Sequence, residues 1–339
     1  MRKVWVGFLV MQLTALCLSV PGAMAFPVCK LIPEASFSVG GVSNLSASIV
    51  NPGAPVTGLV NAIGCDIGVY FSPGKTGSVT SARVLGARVA GIVNNGANVK
   101  VDGSAIYQIG DLPISSAPYG YGIYVSGQSA RASGNITHNT IWDFQQGGIE
   151  VIGATALIEY NTVTGQGPTT VLAQRGIEVG LSSRSTIQFN NIFGMSYFGE
   201  DRATGAGIRL YGGPCFDGPD QTDTSVLSNQ LTGNDIGIAL NNLAVNCVNS
   251  DTSATKNTIS YNAIRDNGVF NSVGGPLDGS GPLGAYQAGV SDQGKLDQII
   301  GNSICGFGYT PQGFSPPYIY SVDTTLALSP IALLNKCVN

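Results

Sequence analysis

The sequence predicts an all-β solenoid closed by a cap at each end, and three observations carry that prediction. A motif of the form Gly-apolar-x-apolar returns as Gly122-Ile123-Tyr124-Val125, Gly148-Ile149-Glu150-Val151, Gly176-Ile177-Glu178-Val179, Gly207-Ile208-Arg209-Leu210 and Gly237-Ile238-Ala239-Leu240, with Gly289-Val290-Ser291 a weaker copy. A second motif, apolar-x-x-Asn-x-apolar, alternates with it and centres on Asn139, Asn161, Asn190, Asn229, Asn262 and Asn302. The composition agrees: 47 glycines and only 11% charged residues suit a chain of short strands and tight turns.

The first 25 residues fall outside this plan. Met1-Arg2-Lys3, an apolar run from Val4 to Val20 and Ala23-Met24-Ala25 form a secretory signal peptide, with cleavage expected after Ala25. Gln12 and Thr14 interrupt the apolar run, and no other stretch is long enough to span a bilayer, so no membrane association is expected after cleavage. The expected location is secreted or periplasmic. Without residues 1–25, which carry Arg2 and Lys3 and no acid, 14 basic residues face 20 acidic ones, a net charge of −6. That balance argues against a nucleic-acid partner, whose phosphates need a basic face.

Residues 26–78 read as an N-terminal cap, with Gly64 to Phe71 as a degenerate first coil. A cap is needed because the first coil would otherwise expose a sheet edge and the core. Residues 79–308 read as the solenoid proper. In each Gly-led strand the first and third residues after Gly are apolar, the period of a strand with one buried face. The middle residues then point outward, and in-register stacking turns them into an exposed ladder of Tyr124, Glu150, Glu178, Arg209, Ala239 and Ser291. The repeated Asn suits a bend, because it tolerates the left-handed backbone and its amide can bond the same amide one coil away. From Asn139 to Asn302 the repeat averages about 33 residues, within the solenoid range. His138 aligns with Tyr160, Phe189 and Tyr261 before the Asn, and reads as one more stacked ring. Residues 309–339 read as a C-terminal cap.

Six cysteines remain once Cys17 leaves with the signal. Cys215 and Cys247 follow consecutive Gly-led strands by similar distances, which pairs them; Cys29–Cys65 and Cys305–Cys337 are pairings by proximity among 15 possible connectivities. With one histidine and no Cys-x-x-Cys, neither a zinc site of ordinary ligands nor a Ser-His-Asp nucleophile is expected.

The two alternating motifs together resemble the repeat of the pectin lyase-like superfamily of right-handed parallel β-helices, over about residues 79–308. That resemblance implies a right-handed coil and a polysaccharide or oligosaccharide partner, because the superfamily holds polysaccharide lyases, glycoside hydrolases, uronate epimerases and phage tailspikes. Its polygalacturonase-like signature is not met: Gly233-Asn234-Asp235 gives a faint echo of the paired aspartates, and the active-site histidine is missing.

Loops 107–121, 164–175, 193–206 and 265–287 are long and fall at one corner, which predicts a wall beside the Gly-led face and hence a groove. Glu150 and Glu178, one rung apart at about 4.8 Å, and Arg209 on the next rung are the expected catalytic residues. Tyr124, Tyr121, Arg175, Gln174 and Asp111 are expected to bind substrate. In the lyase reading, which the resemblance favours narrowly, Glu150 and Glu178 hold Ca²⁺ and Arg209 is the base. In the glycoside hydrolase reading one Glu is acid and the other nucleophile. An epimerase on the same face and a non-catalytic glycan-binding or surface protein complete the range of functions this pattern allows. No organic cofactor is expected.

Overall fold

A computed structural model describes residues 27–199, 203–247, 249–268, 286–311 and 318–337. The predicted signal peptide and most of the loop 265–287, with Phe270 and Asp278, lie outside the described residues. Within them the chain is a parallel β-helix. One sheet takes the Gly-led strands, from Ser46–Val50 through Tyr121–Ser126, Gly147–Ile152, Arg175–Gly180, Ala206–Gly212 and Ile236–Asn242 to Tyr318–Asp323, all parallel. The other sheet folds at the Asn corner into two arms, as in Thr155–Glu159 followed by Thr162–Thr164.

Close packing between coils explains the leading glycine of each rung. A Cβ built on Gly148 would lie 2.6 Å from the Gly176 carbonyl oxygen, and one on Gly176 would lie 2.4 Å from that of Gly207. Stacked rungs therefore leave no room for a side chain there. Beside the glycines, Ile149, Val151, Ile177, Val179, Ile208 and Leu210 face inward and pack in one continuous core with Ile158, Ile187 and Val226 of the opposite arm.

The Asn ladder is continuous and buried. Each amide nitrogen donates to the amide oxygen of the next coil, from Asn139 to Asn161 at 3.0 Å, onward through Asn190, Asn229, Asn262 and Asn302, and finally to Asn335 at 2.8 Å. Each also donates to a carbonyl of the coil behind, as Asn229 does to Ile187 at 2.9 Å. The left-handed residue is not the Asn, as the repeat suggests, but the one before: His138, Tyr160, Phe189 and Tyr261 have φ between 55° and 57°. The bend turns outside the coil while the amide turns in. The rings so displayed stack, His138 on Tyr160 and Tyr160 on Phe189, each with centroids 5.2 Å apart.

Parallel stacking starts before residue 79 and runs past 308. Ser46–Val50 already pairs with Ile67–Phe71, and Tyr318–Asp323 and Ile331–Leu333 add a last coil at the other end. These coils escape notice because their Gly and Asn signals are degenerate, although Asn335 keeps the ladder. Residues 32–45 do not close the end of the coil alone. Ile32, Phe37, Val39 and Leu45 lie over the outer face of the first rungs and cluster with Tyr70, Val93, Tyr121 and Tyr124. Gly40, at φ 55°, makes this possible: a Cβ there would meet the Pro118 carbonyl oxygen at 1.9 Å. Disulfides Cys29–Cys65, Cys215–Cys247 and Cys305–Cys337 all form.

Candidate functional site on the outer face of the first sheet

Glu150 pairs with Tyr124 on one side and Glu178 on the other, Glu178 with Arg209, Arg209 with Ala239, and Ala239 with Ser291. The register is the predicted one, and the side chains point away from the coil core. They are not exposed. Tyr124 is 5% accessible, Glu150 4% and Glu178 5%. The alternation of a strand says which way a side chain points, not what lies above it. Over Tyr124 that is the N-terminal segment, whose Phe37 ring lies edge-on at 6.3 Å.

The two acids sit in unlike surroundings. Glu178 Oε1 accepts from Arg209 Nη1 at 2.7 Å, and Arg209 Nε donates to Asn241 Oδ1 at 3.2 Å. The rings of Tyr211 and Phe216 cover the same guanidinium at 5.0 and 5.2 Å. Among the described residues Glu150 has no cation in contact. Its Oε1 accepts from the Tyr211 hydroxyl at 3.1 Å, across two rungs, and its Oε2 is buried without a partner. Burial first, and the Glu178 charge second, push its pKa up to about 8, so Glu150 carries a proton at neutral pH.

Of the remaining predicted residues, Tyr121 and Arg175 stay beside the stripe, in one row through Gly147 and within reach of its charges, whereas Gln174 and Asp111 are turned to other tasks. Arg175 is buried, and Nη1 donates to the carbonyls of Ala173 and Gln174. Burial pulls its pKa down to about 10. Gln174, fully buried, donates to the carbonyls of Phe144 and Gln145; it fixes the wall loop and does not face a groove. Asp111 accepts from Ser115 Oγ at 2.6 Å and from the Tyr119 hydroxyl at 3.0 Å, within its own loop. Tyr121 packs beside Tyr124 with ring centroids 5.4 Å apart. Tyr197 and Tyr286, aromatic residues of the wall loops, are buried as well. Asp235, from the Gly233-Asn234-Asp235 stretch, accepts from Ser196 Oγ and the Tyr197 and Gly205 amides and anchors loop 193–206; burial raises its pKa to about 7. Tyr211 and Asn241 escape sequence reasoning, because they follow the Gly-led tetrads by one position and reach the ladder sideways.

The donor set does not suit Ca²⁺. Glu178 is taken up by a guanidinium, Glu150 is the other acid of the stripe, and among the described residues no group of three His, Cys, Asp or Glu could hold a metal.

Raised acids also set the stability profile. Burial raises Glu150, Asp235 and Asp292, the last also through its neighbour Asp297. The folded chain therefore keeps protons that the unfolded chain loses near pH 4, and stability falls as pH rises from there through about 8. Denaturant midpoints should be higher at pH 5 than at pH 8.5, and Glu150→Gln should shrink that gap; equal midpoints would show that these acids are ionised in the fold.

These features define a parallel β-helix with an inward Asn ladder and a buried acid–acid–arginine stripe on the outer face of its first sheet. Residues 90–309 match the family described as right-handed β-helix region, and the chain belongs to that family. Among solved structures it is similar to the Dettilon tailspike protein, at 16% identity and a TM-score of 0.44, over 84% of this chain and 61% of that one. It is also similar to a double mutant of the periplasmic alginate epimerase AlgG, at 12% identity and a TM-score of 0.29, over 80% and 62%. The chain thus spans about three fifths of the length of either structure. No curated protein matches the sequence. Among the described residues no helix is long and apolar enough to cross a membrane.

Proposed function

We propose that this chain is an exported, polysaccharide-acting β-helix protein that hydrolyses a glycan at the Glu150–Glu178–Arg209 stripe. The observation that carries the reading is a pair of carboxyl groups in register on adjacent rungs with opposed surroundings, one protonated and apolar, the other paired with arginine. Such divergence is how acid and nucleophile roles are divided between two carboxyls. Glu150 gives its proton to the glycosidic oxygen as that bond breaks, and the Glu178 carboxylate bonds to the anomeric carbon. Water then displaces Glu178 and returns a proton to Glu150. A rung spacing of about 4.8 Å is close to the carboxyl separation of about 5 Å used by retaining enzymes. The Tyr211 hydroxyl orients Glu150, and Arg209 orients Glu178. Three disulfides, together with the sequence of residues 1–25, support export. Lyase chemistry is less well supported, because Arg209 is committed to Glu178 and Asn241 and, among the described residues, no third acid joins Glu150 and Glu178 to hold Ca²⁺. One observation favours a non-catalytic surface protein instead, with the stripe a structural element: it is almost entirely buried.

Purified protein should be screened on acidic and neutral polysaccharides, with and without Ca²⁺, following reducing ends and the absorbance of unsaturated uronate. Reducing ends without unsaturated product, insensitive to Ca²⁺ and declining as pH rises through about 8, are expected. Glu150→Gln and Glu178→Gln should each lower turnover at least about a hundredfold. Unsaturated product would move the assignment to a lyase, and full rates in both variants would discard the site.

A further inference from the structure

A second feature lies at the corner opposite the wall loops, where the first sheet passes into the second. A trough of about 950 Å³ runs there along the coil axis, over the short turns at Gly74, Gly96 and Gly153. Its floor is the row of first residues of successive strands, Thr76, Asn98, Ser133, Thr155 and Arg184, each paired in register with the next. Lys75, Arg131 and Arg184 line it, and among the described residues no acid does. All three cations are exposed, and neither Lys75 nor Arg131 makes an ion pair among the described residues. Arg184 has only a loose one, 3.9 Å from an Asp223 that is itself half exposed, a contact worth little. In a chain with a net negative charge this is a local concentration of the opposite sign.

The spacing suggests the ligand. Lys75, Arg131 and Arg184 belong to alternate coils, so they recur at about 10 Å along the axis, with hydroxyl and amide side chains on the coils between, about 4.8 Å from each. An extended polysaccharide advances by a distance close to one coil per sugar. We propose that this trough binds a linear acidic polysaccharide along the coil axis, its carboxylate or sulfate groups on alternate sugars meeting Lys75, Arg131 and Arg184, and its hydroxyls meeting the residues between. The site is separate from the Glu150 stripe and stands whether or not that stripe is catalytic. It gives a glycan-acting β-helix a place to hold a long chain away from the point of reaction, and selects for charge at that place.

Titration of the intact protein with hyaluronan, which carries an acid on alternate sugars, tests this at low salt, with neutral dextran as control. Saturable binding of hyaluronan and none of dextran is expected, weakening as salt is added. The triple substitution Lys75→Gln, Arg131→Gln, Arg184→Gln should weaken binding at least tenfold, whereas Arg131→Lys alone should change it less than threefold. Unchanged far-ultraviolet circular dichroism and unfolding midpoint confirm that these exposed positions report binding. Glu150→Gln should bind hyaluronan as tightly as the unaltered chain, so a failure of the hydrolase reading leaves this result intact. Equal binding by the triple variant, equal affinity for dextran, or full competition by inorganic sulfate at matched charge would each overturn the assignment.

Discussion

Asn229→Ala is expected to lower folding stability by about 3–5 kcal/mol, the sum of several buried groups left unpaired at about 1–3 kcal/mol each. Asn229 Oδ1 accepts both the backbone N–H of Asn190, at 3.0 Å, and its side-chain amide, at 2.9 Å. Its own amide nitrogen donates to the Ile187 carbonyl and to Asn262. Removing the side chain strands the Asn190 donors and the Ile187 carbonyl inside the coil, where water does not replace them. The same change at the end of the ladder makes a control. Asn335 is less buried and, among the described residues, has partners on one side only, so Asn335→Ala should cost about 1 kcal/mol. Denaturant unfolding of both variants measures the difference. Equal losses would mean that the ladder does not act through burial.

Arg209→Met should cost a comparable amount, about 3–5 kcal/mol, because it leaves the Glu178 carboxylate buried without its cation. The side chains are 14% and 7% accessible, so solvent does little to rescue the lone charge. The double variant Arg209→Met, Glu178→Met should recover most of the loss, since replacing both partners of a buried pair by apolar groups is often neutral. A double variant as unstable as the single one would show that Arg209 acts by packing against Tyr211 and Phe216 and not by pairing with Glu178. The two stability tests also bear on the catalytic proposal, because loss of activity in an Arg209 variant means little until the fold has been shown to survive.

Much of this architecture is legible in the chain because solenoid packing is local and repetitive. A glycine at the head of each rung, an apolar pair after it and an asparagine about one coil apart are all dictated by contacts to the next copy of the same segment. Residue spacing therefore places Glu150 against Glu178 and Glu178 against Arg209 with no knowledge of the rest of the chain. The left-handed residue is harder to place, since both the Asn and its predecessor fit the bend until the inward hydrogen bonds choose between them. The pairing of Cys215 with Cys247 follows from the same coil arithmetic.

The coil, its register and the face each rung residue takes are written in the residue order, because they depend on neighbours one repeat away. The cover over the outward ladder, the proton held by Glu150 beside Tyr211, and the trough shared by Lys75, Arg131 and Arg184 emerge only in three dimensions. Those outcomes depend on segments that follow no repeat: a residue such as Phe37 laid across Tyr124, or turns of unequal length that leave a hollow between them. A periodic pattern records the direction of a side chain, and the solvent or protein that meets it there is set by the aperiodic remainder of the chain.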